Sequence, residues 1–336
     1  MINRAIGVFR AIAPATIRKD PMTDPIPPQG IPQPSPQPAA VPAQFAAGLD
    51  TPAPGTEAAP AQPATVPAAD VAQATPAPFG AQAAPGTPAM EIRGLAKRFG
   101  EKIAVNGINL TIPQGSFYGL VGPNGAGKTT TLSMATGLLR PEFGTALIYG
   151  VDMWENPVEA KRLVGNLADG VRMFDRLTGQ QLVTYHGLLS GLDAETVATR
   201  TTDLLGLLDL QQAANTLVVD YSAGMTKKIA LACAMIHAPR LLVLDEPFES
   251  VDPVSAANIR DILHGYVAGG GTVIVSSHSM DLVERMCDHV AVIAAGRVVA
   301  AGTVDEVRAG STLEDRFVQL VGGRHQQEGP EWLRSF

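Results

Sequence analysis

The chain has 336 residues and a formal net charge of −7 at pH 7. Its length allows one large domain or two of ordinary size. An acidic chain without a visible basic run is a poor candidate for binding nucleic acid through the phosphate backbone. No run of about 18 apolar residues occurs, so a membrane-spanning helix is not expected.

The first 88 residues differ from the rest in composition, because they hold 19 of the 27 prolines. They are rich in Pro, Ala and Gln, and no Lys or Arg lies between Lys19 and Arg93. Such a segment cannot bury enough apolar surface to offset the entropy lost on ordering. We therefore expect a disordered tail at residues 1–88, a folded domain at 89–310 and a C-terminal extension at 311–336.

Beyond Met90, short apolar segments alternate with segments of helical periodicity. The predicted strands are Met90–Arg93, Ile103–Ile112, Phe117–Val121, Thr145–Tyr149, Leu241–Leu244, Thr272–Ser276, Val290–Ile293 and Val298–Ala300. Residues of about 170–237 have helical spacing, and further helices are expected to begin near Lys128, Pro253 and Ser279. This order predicts an α/β fold that is interrupted by a helical insertion.

The loop after the third predicted strand matches the phosphate-binding pattern G-x-x-x-x-G-K-[ST] at every position. Its residues are Gly122, Pro123, Asn124, Gly125, Ala126, Gly127, Lys128 and Thr129. The glycines allow a tight turn, so that successive amides point at phosphate oxygens. Lys128 is expected to reach the β- and γ-phosphates, and the Thr129 hydroxyl to hold Mg²⁺. The strand before the loop and the helix after it argue against a chance glycine-rich turn.

A second group of candidate residues follows two other apolar strands. The strand Leu241–Leu244 delivers Asp245 and Glu246 to the sheet edge where α/β proteins bind ligands. Beside a phosphate loop, Asp245 is expected to hold Mg²⁺ and Glu246 to polarise an attacking water. His278 follows another strand to the same edge. A lone histidine in such a place is more often structural, and only its companions favour a catalytic role.

The segment Tyr221–Met225 precedes a predicted helix, where Ser222 could serve simply as an N-cap. Taken in order, the phosphate loop, this segment, the two acids and the histidine resemble the nucleotide-binding subunit of an ABC transporter, over about residues 90–320. The resemblance implies a P-loop NTPase core of the ABC ATPase type. It also implies a helical subdomain inserted at about 170–237, an antiparallel β subdomain, and ATP and Mg²⁺ as ligands.

The resemblance implies a role for each matched residue. The phosphate loop corresponds to the Walker A loop, with Thr130 as its second hydroxyl. Asp245 matches the acid that holds the metal, Glu246 the catalytic glutamate, and His278 the histidine that contacts the γ-phosphate. Phe99 resembles the aromatic residue that stacks on adenine, although a phenylalanine there could instead belong to the core.

Tyr221–Met225 is similar to the family signature LSGGQ, although Ala replaces the first Gly and Met replaces the Gln. Ser222 and Gly224 are retained, and the resemblance implies that they touch the γ-phosphate bound by the opposite subunit. Asp252 matches the acid of the loop that crosses between subunits.

A larger departure from the family lies at Asp169, which stands where a glutamine usually contacts Mg²⁺ and water. An aspartate can still ligate Mg²⁺, but it adds negative charge near the phosphates. We therefore expect Asp169 to affect the turnover rate and the coupling of hydrolysis to transport more than the basic capacity to hydrolyse ATP.

The resemblance implies an ATP-hydrolysing subunit that energises a separate multi-span membrane subunit. Residues Phe174–Gly179 and Thr312–Leu320 are similar to the branch that serves drug, lipid or polysaccharide exporters, which indicates export. One phosphate loop and one signature per chain imply a head-to-tail pair with a second nucleotide-binding subunit, identical or related. The expected location is the cytoplasmic face of the cell membrane. Cys233 and Cys287 lie in apolar segments, and a reduced compartment explains them more simply than the alternative of a disulfide.

The main alternative is a soluble ABC ATPase that acts on nucleic acid or ribosomes. DNA-repair members insert long coiled coils into the helical subdomain, and translation factors usually join two nucleotide-binding domains in one chain. This chain has neither feature, and its folded part is acidic. A regulatory module that binds nucleotide without hydrolysis is disfavoured as well, because Glu246 and His278 are both present.

Overall fold

Two β-sheets carry the site in the computed structural model, which describes residues 86–170 and 173–321. The strands within these ranges are β1 (Met90–Phe99), β2 (Lys102–Ile112), β3 (Phe117–Val121), β4 (Phe143–Ile148), β5 (Val151–Asp152), β6 (Val164–Leu167), β7 (Leu241–Leu244), β8 (Thr272–Ser277), β9 (His289–Ala294) and β10 (Arg297–Thr303). All but 86–88 of the predicted disordered tail lies outside the described residues. Residues 322–336 of the predicted C-terminal extension lie outside them too.

The larger sheet has the strand order β10-β9-β3-β8-β7-β6. Its strands from β9 to β6 are parallel, and β10 pairs antiparallel with β9. The smaller sheet has the order β2-β1-β4-β5 and is antiparallel throughout. The predicted α/β fold with an antiparallel β subdomain is therefore confirmed.

Helices flank the larger sheet and fill the segment between β6 and β7. Within the described residues they are α1 (Lys128–Ala135), α2 (Pro157–Leu163), α3 (Gly179–Leu189), α4 (Ala194–Leu207), α5 (Ala223–Met235), α6 (Pro253–Ala268), α7 (Met280–Met286), α8 (Val304–Arg308) and α9 (Leu313–Leu320). The helices α3, α4 and α5 pack against one another. No helix in the described ranges combines the length and the apolar character that a membrane crossing needs.

The burial of the strands follows from their sequences. Every residue of Leu241–Leu244 is fully buried, as expected for a parallel strand covered on both faces. Along β2, buried and exposed side chains alternate in the segment Ile108–Ile112, so that one face packs on the core. The parallel sheet is thus buried inside the chain, and only the ends of its strands can present polar side chains.

Strand β6 was not among the predicted strands. Val164–Leu167 reads Val-Gly-Asn-Leu, which lacks the apolar run of the other parallel strands, and it follows α2 without an intervening turn. Gly165 is required because a Cβ there would lie 2.1 Å from the carbonyl oxygen of Ala234 on α5. Pairing of β6 with β7 brings Asp169 beside the two acids that follow β7, and the Asp245 amide donates to the Leu167 carbonyl at 2.8 Å.

Candidate functional site

The phosphate loop lies between the end of β3 and the start of α1. Gly127 has a φ of 106°, and a Cβ at this position would lie 2.5 Å from the Ala104 carbonyl oxygen, so only glycine fits. No side chain caps the first turn of α1. The amides at that helix start are therefore available to an anion, which the helix dipole also favours.

Lys128 is the first residue of α1, and its side chain is only 6% exposed. Its ammonium donates to the Gly122 carbonyl oxygen at 2.8 Å and lies 3.5 Å from that of Pro123. It also lies 3.4 Å from the Glu246 carboxylate. These partners offset the cost of burying the charge, and they fix the cation beneath the loop.

The two acids after β7 have different surroundings. The Asp245 carboxylate is buried and accepts a hydrogen bond from the Ser276 hydroxyl. That hydroxyl in turn accepts from the amide of Glu246 at 2.9 Å. Glu246 has a left-handed backbone with a φ of 46°, which is uncommon for a residue other than glycine. The bend separates two consecutive acids, so that Asp245 stays at the strand end and Glu246 reaches the cavity.

His278 follows β8, and its Nδ1 lies 3.1 Å from Oε2 of Glu246. The other carboxylate oxygen of Glu246 faces Lys128. These three side chains come from three adjacent parallel strands, since the sheet order places β8 between β3 and β7. The carboxyl ends of such strands meet at one edge, and this edge carries a cation, a carboxylate and an imidazole in contact.

A cavity of about 410 Å³ opens at this edge. The predicted site residues that line it are Phe99, Asn124, Gly125, Ala126, Gly127, Lys128, Thr129, Thr130, Asp169, Glu246 and His278. Phe99 ends β1 and is half exposed, with the Lys97 ammonium 5.8 Å from its ring centre. A cavity with an aromatic ring at one end and a phosphate-type loop at the other suits a nucleotide.

Other predicted site residues do not line this cavity. Gly122 and Pro123 open the phosphate loop and Asp245 follows β7, whereas Ser222, Gly224 and Asp252 lie at the starts of α5 and α6. Ser222 accepts from the Met225 amide at 3.3 Å. Asp252 accepts from the Val254 and Ser255 amides, and these hydrogen bonds, the one from Ser255 first, hold the pKa of its carboxyl below the ordinary value.

The starts of α5 and α6 lie close together. A Cβ on Gly224 would lie 3.1 Å from Oδ2 of Asp252, so a larger residue at 224 would press on that carboxylate. Ser222 is exposed. The two helix starts therefore form one surface outside the cavity of their own chain.

Four residues near the site were not predicted. Lys102, Ala104 and Glu249 line the cavity. Lys227 on α5 contacts its rim, since its ammonium lies 3.5 Å from the Asp169 carboxylate and donates to the Glu246 carbonyl at 3.0 Å. No local pattern in the sequence indicated Lys227, because both of its contacts are to residues distant in the chain.

Comparison with known proteins places this site in a family. Residues 105–249 match the family described as ABC transporter. Daunorubicin resistance ATP-binding protein DrrA3 of Streptomyces coeruleorubidus is 34% identical over 221 residues, which are 66% of this chain and 70% of that protein.

The chain belongs to the ABC transporter family. Another relative, Nod factor export ATP-binding protein I of Burkholderia lata, is 35% identical over 63% of this chain and 70% of its own length. A solved structure described as the ATP-binding subunit of an ABC transporter superposes with a TM-score of 0.64. It is 26% identical, and the match covers 69% of this chain and 99% of that one.

Membership in the ABC transporter family indicates what the chain binds. The chain is an ATP-binding and ATP-hydrolysing subunit that energises a membrane transporter. The cavity at the edge of the parallel sheet contains the positive loop, the carboxylate and the imidazole that phosphoryl transfer to water needs. Ser222 and Asp252 supply neither a cation nor an imidazole.

Proposed function

We propose that this ABC subunit hydrolyses ATP in the cavity of the phosphate loop and thereby drives export through a separate multi-span membrane subunit. The observation that carries the proposal is the position of the Glu246 carboxylate, 3.4 Å from the Lys128 ammonium and 3.1 Å from His278. The names of the two relatives concern drug resistance and export, which supports the direction of transport.

Each side chain has a defined part in the reaction. Lys128 and the loop amides stabilise the charge on the γ-phosphoryl group. Glu246 accepts a proton from the attacking water, and His278 holds the carboxylate in place and contacts the γ-phosphate. The water oxygen bonds to phosphorus, the bond between phosphorus and the β,γ-bridging oxygen breaks, and ADP leaves with the electron pair. Phe99 stacks on adenine, and Asn124 and Thr130 contact the phosphates from the loop and helix.

The donor set fits Mg²⁺. Thr129 offers a hydroxyl, and Asp245 and Asp169 offer carboxylates, which are all oxygen donors. Within the described residues, no cluster of three or more His, Cys, Asp or Glu could hold a metal. Bound Mg²⁺ would neutralise charge on the β- and γ-phosphates.

We further propose a head-to-tail pair of nucleotide-binding subunits, with this chain as one member and an identical or related chain as the other. Ser222 and Gly224 would contact the γ-phosphate bound by the opposite subunit, and Asp252 would lie at the crossing between the subunits. Their position on one surface outside their own cavity supports this arrangement.

The helical region offers a surface for the membrane subunit. Four large apolar side chains on or near α3 are exposed: Phe174, Tyr185, Leu188 and Leu189. The rings of Phe174 and Tyr185 pack edge to face with their centres 5.4 Å apart. A contact here would hold the chain at the cytoplasmic face of the membrane and pass movements of α3 to the partner.

The Glu246→Gln variant tests the proposed chemistry. It keeps the shape of the side chain but removes the proton acceptor, so we expect the turnover number to fall by about 10² or more. Release of phosphate from Mg·ATP measures it. Glu159→Gln, on the exposed face of α2, is the matched control and should retain the wild-type rate. Wild-type turnover in Glu246→Gln would rule out Glu246 as the base.

A further inference from the structure

We propose that Lys227 is a positioning residue for ATP hydrolysis, which holds Asp169 and Glu246 from the helix that carries the signature. The inference rests on the proposed function, because it concerns the same cavity. It assigns a role to a lysine outside the phosphate loop and outside the signature.

The contacts of Lys227 join three separate elements. Its ammonium lies 3.5 Å from Oδ1 of Asp169, in the loop after β6. It also donates a hydrogen bond of 3.0 Å to the carbonyl oxygen of Glu246, after β7. Lys227 itself belongs to α5, so one side chain connects the helical region to both loops at the cavity.

Lys227 is one of the contacts that hold the backbone of Glu246 in its conformation. The amide of Glu246 is held by the Ser276 hydroxyl, and its carbonyl accepts from the Glu249 amide at 3.3 Å as well as from Lys227. The left-handed conformation of Glu246 persists only when its surroundings determine it. Lys227 is the contact in this set that comes from the helical region, so a shift of α5 acts directly on the backbone of the expected base.

Lys227 also forms an ion pair with the Asp169 carboxylate. The cavity wall carries the carboxylates of Asp169, Glu246 and Glu249 against the ammonium groups of Lys102 and Lys128. A triphosphate that enters adds several negative charges. The ammonium of Lys227 lies 3.5 Å from the Asp169 carboxylate and so fixes where this negative charge lies relative to the phosphates.

Because Lys227 and Ser222 both lie on α5, a movement of the signature also moves Lys227. Ser222 caps the start of α5, and Lys227 follows five residues later, about 7.5 Å along the helix axis. A helix of this length moves as a unit. When Ser222 meets the phosphate of an opposite subunit, Lys227 moves with it and sets the positions of Asp169 and Glu246. Hydrolysis then depends on the engaged signature.

Lys227→Gln tests this role in the full chain. We expect its turnover number to fall about tenfold, because small displacements of a catalytic group cost that much or more. Affinity for Mg·ATP, measured by titration calorimetry, should stay within about threefold, since Lys227 does not line the cavity. Lys227→Arg keeps the charge and should retain turnover within about threefold.

Lys228→Gln is the matched control. It removes the same charge one residue further along, where the ammonium lies 3.9 Å from Asp209 and outside the cavity. It should keep the wild-type turnover number. Equal losses of turnover in Lys227→Gln and Lys228→Gln would mean that both substitutions act by destabilising α5, and this result would overturn the inference. Wild-type turnover in Lys227→Gln would overturn it too.

A double-mutant cycle with Asp169→Gln separates positioning from general damage. Without the carboxylate, loss of Lys227 should cost at most about threefold, against tenfold in its presence, since the two effects are coupled. Additive losses would overturn the link between the two residues. Lys128→Ala in the same assay tests the site itself: full activity there would contradict the proposed function, whatever Lys227→Gln does.

Discussion

The edge of the parallel sheet and the paired starts of α5 and α6 use polar side chains in opposite ways. At the sheet edge, Glu246 contacts Lys128 at 3.4 Å and His278 at 3.1 Å, and Lys128 and Glu246 are almost fully buried. At the helix starts, Ser222 and Asp252 are exposed and bind the backbone amides of their own helices.

The two regions differ in whether a single chain supplies all the groups of the site. A buried cation and carboxylate are costly unless each has a partner, and the sheet edge supplies both partners from adjacent strands. The helix starts satisfy local amides and leave an exposed surface. We infer that the chemistry of the reaction is assembled within one chain, whereas the signature surface acquires its ligand from another.

The largest expected effect is an all-or-none change of oligomeric state. With hydrolysis blocked in Glu246→Gln, the γ-phosphate should keep bridging Lys128 of one subunit and Ser222 of the other. Size-exclusion chromatography with light scattering should show a dimer with Mg·ATP and a monomer with ADP. A monomer in both conditions would contradict pairing between identical chains.

A second substitution sharpens this test. Ser222→Arg, added to Glu246→Gln, should return the chain to the monomer because the long side chain blocks the opposite phosphate. Ser190→Arg introduces the same side chain at another exposed helix end and should leave the dimer intact. Dissociation by both variants would mean that added charge alone separates the subunits.

Removal of the Lys128 side chain should weaken binding of Mg·ATP by a factor of about 30 or more, since loss of one partner of a buried charge contact costs about 2–5 kcal/mol. Titration calorimetry measures the dissociation constant. Lys161→Ala, on the exposed side of α2, should bind as the wild type does. Unchanged affinity in Lys128→Ala would contradict the assignment of the loop.

The smallest effect is expected at Asp169. Replacement by Gln restores the residue usual in the family, so turnover should stay within about threefold of the wild type or rise. Steady-state hydrolysis of ATP measures it. A fall of a hundredfold, or about 2.7 kcal/mol in the barrier, would give the carboxylate a catalytic role of its own.

The sequence predicted the parts of the fold that depend on local pattern. The run Leu241–Leu244 is apolar at every position, and β7 forms there as predicted. Strand β6 could not be found in this way, because Gly165 and Asn166 interrupt its apolar run. It exists through pairing with β7 and through a close approach to α5 that Gly165 permits.

In the candidate site, too, local sequence pattern predicted some residues, and others are identified only by tertiary contacts. The fixed spacing of the phosphate loop and the two acids after β7 indicated the cavity in advance, and their catalytic roles remain predictions. Lys227 could not be assigned from the sequence, because its contacts join residues that are 58 and 19 positions away in the chain. Only the packing of α5 against the sheet edge brings them together.

The contact at Gly165 has a consequence for how the signature can move. At this contact the backbone of β6 closely approaches Ala234, near the C-terminal end of α5. Ser222 lies twelve residues away, about 18 Å along the helix. If α5 pivots at this contact, a tilt of about 10° would displace Ser222 by about 3 Å. Lys227 lies nearer to Ala234 and would travel about 1.8 Å in the same tilt, so a movement at the subunit surface would reach the cavity at a little over half its size.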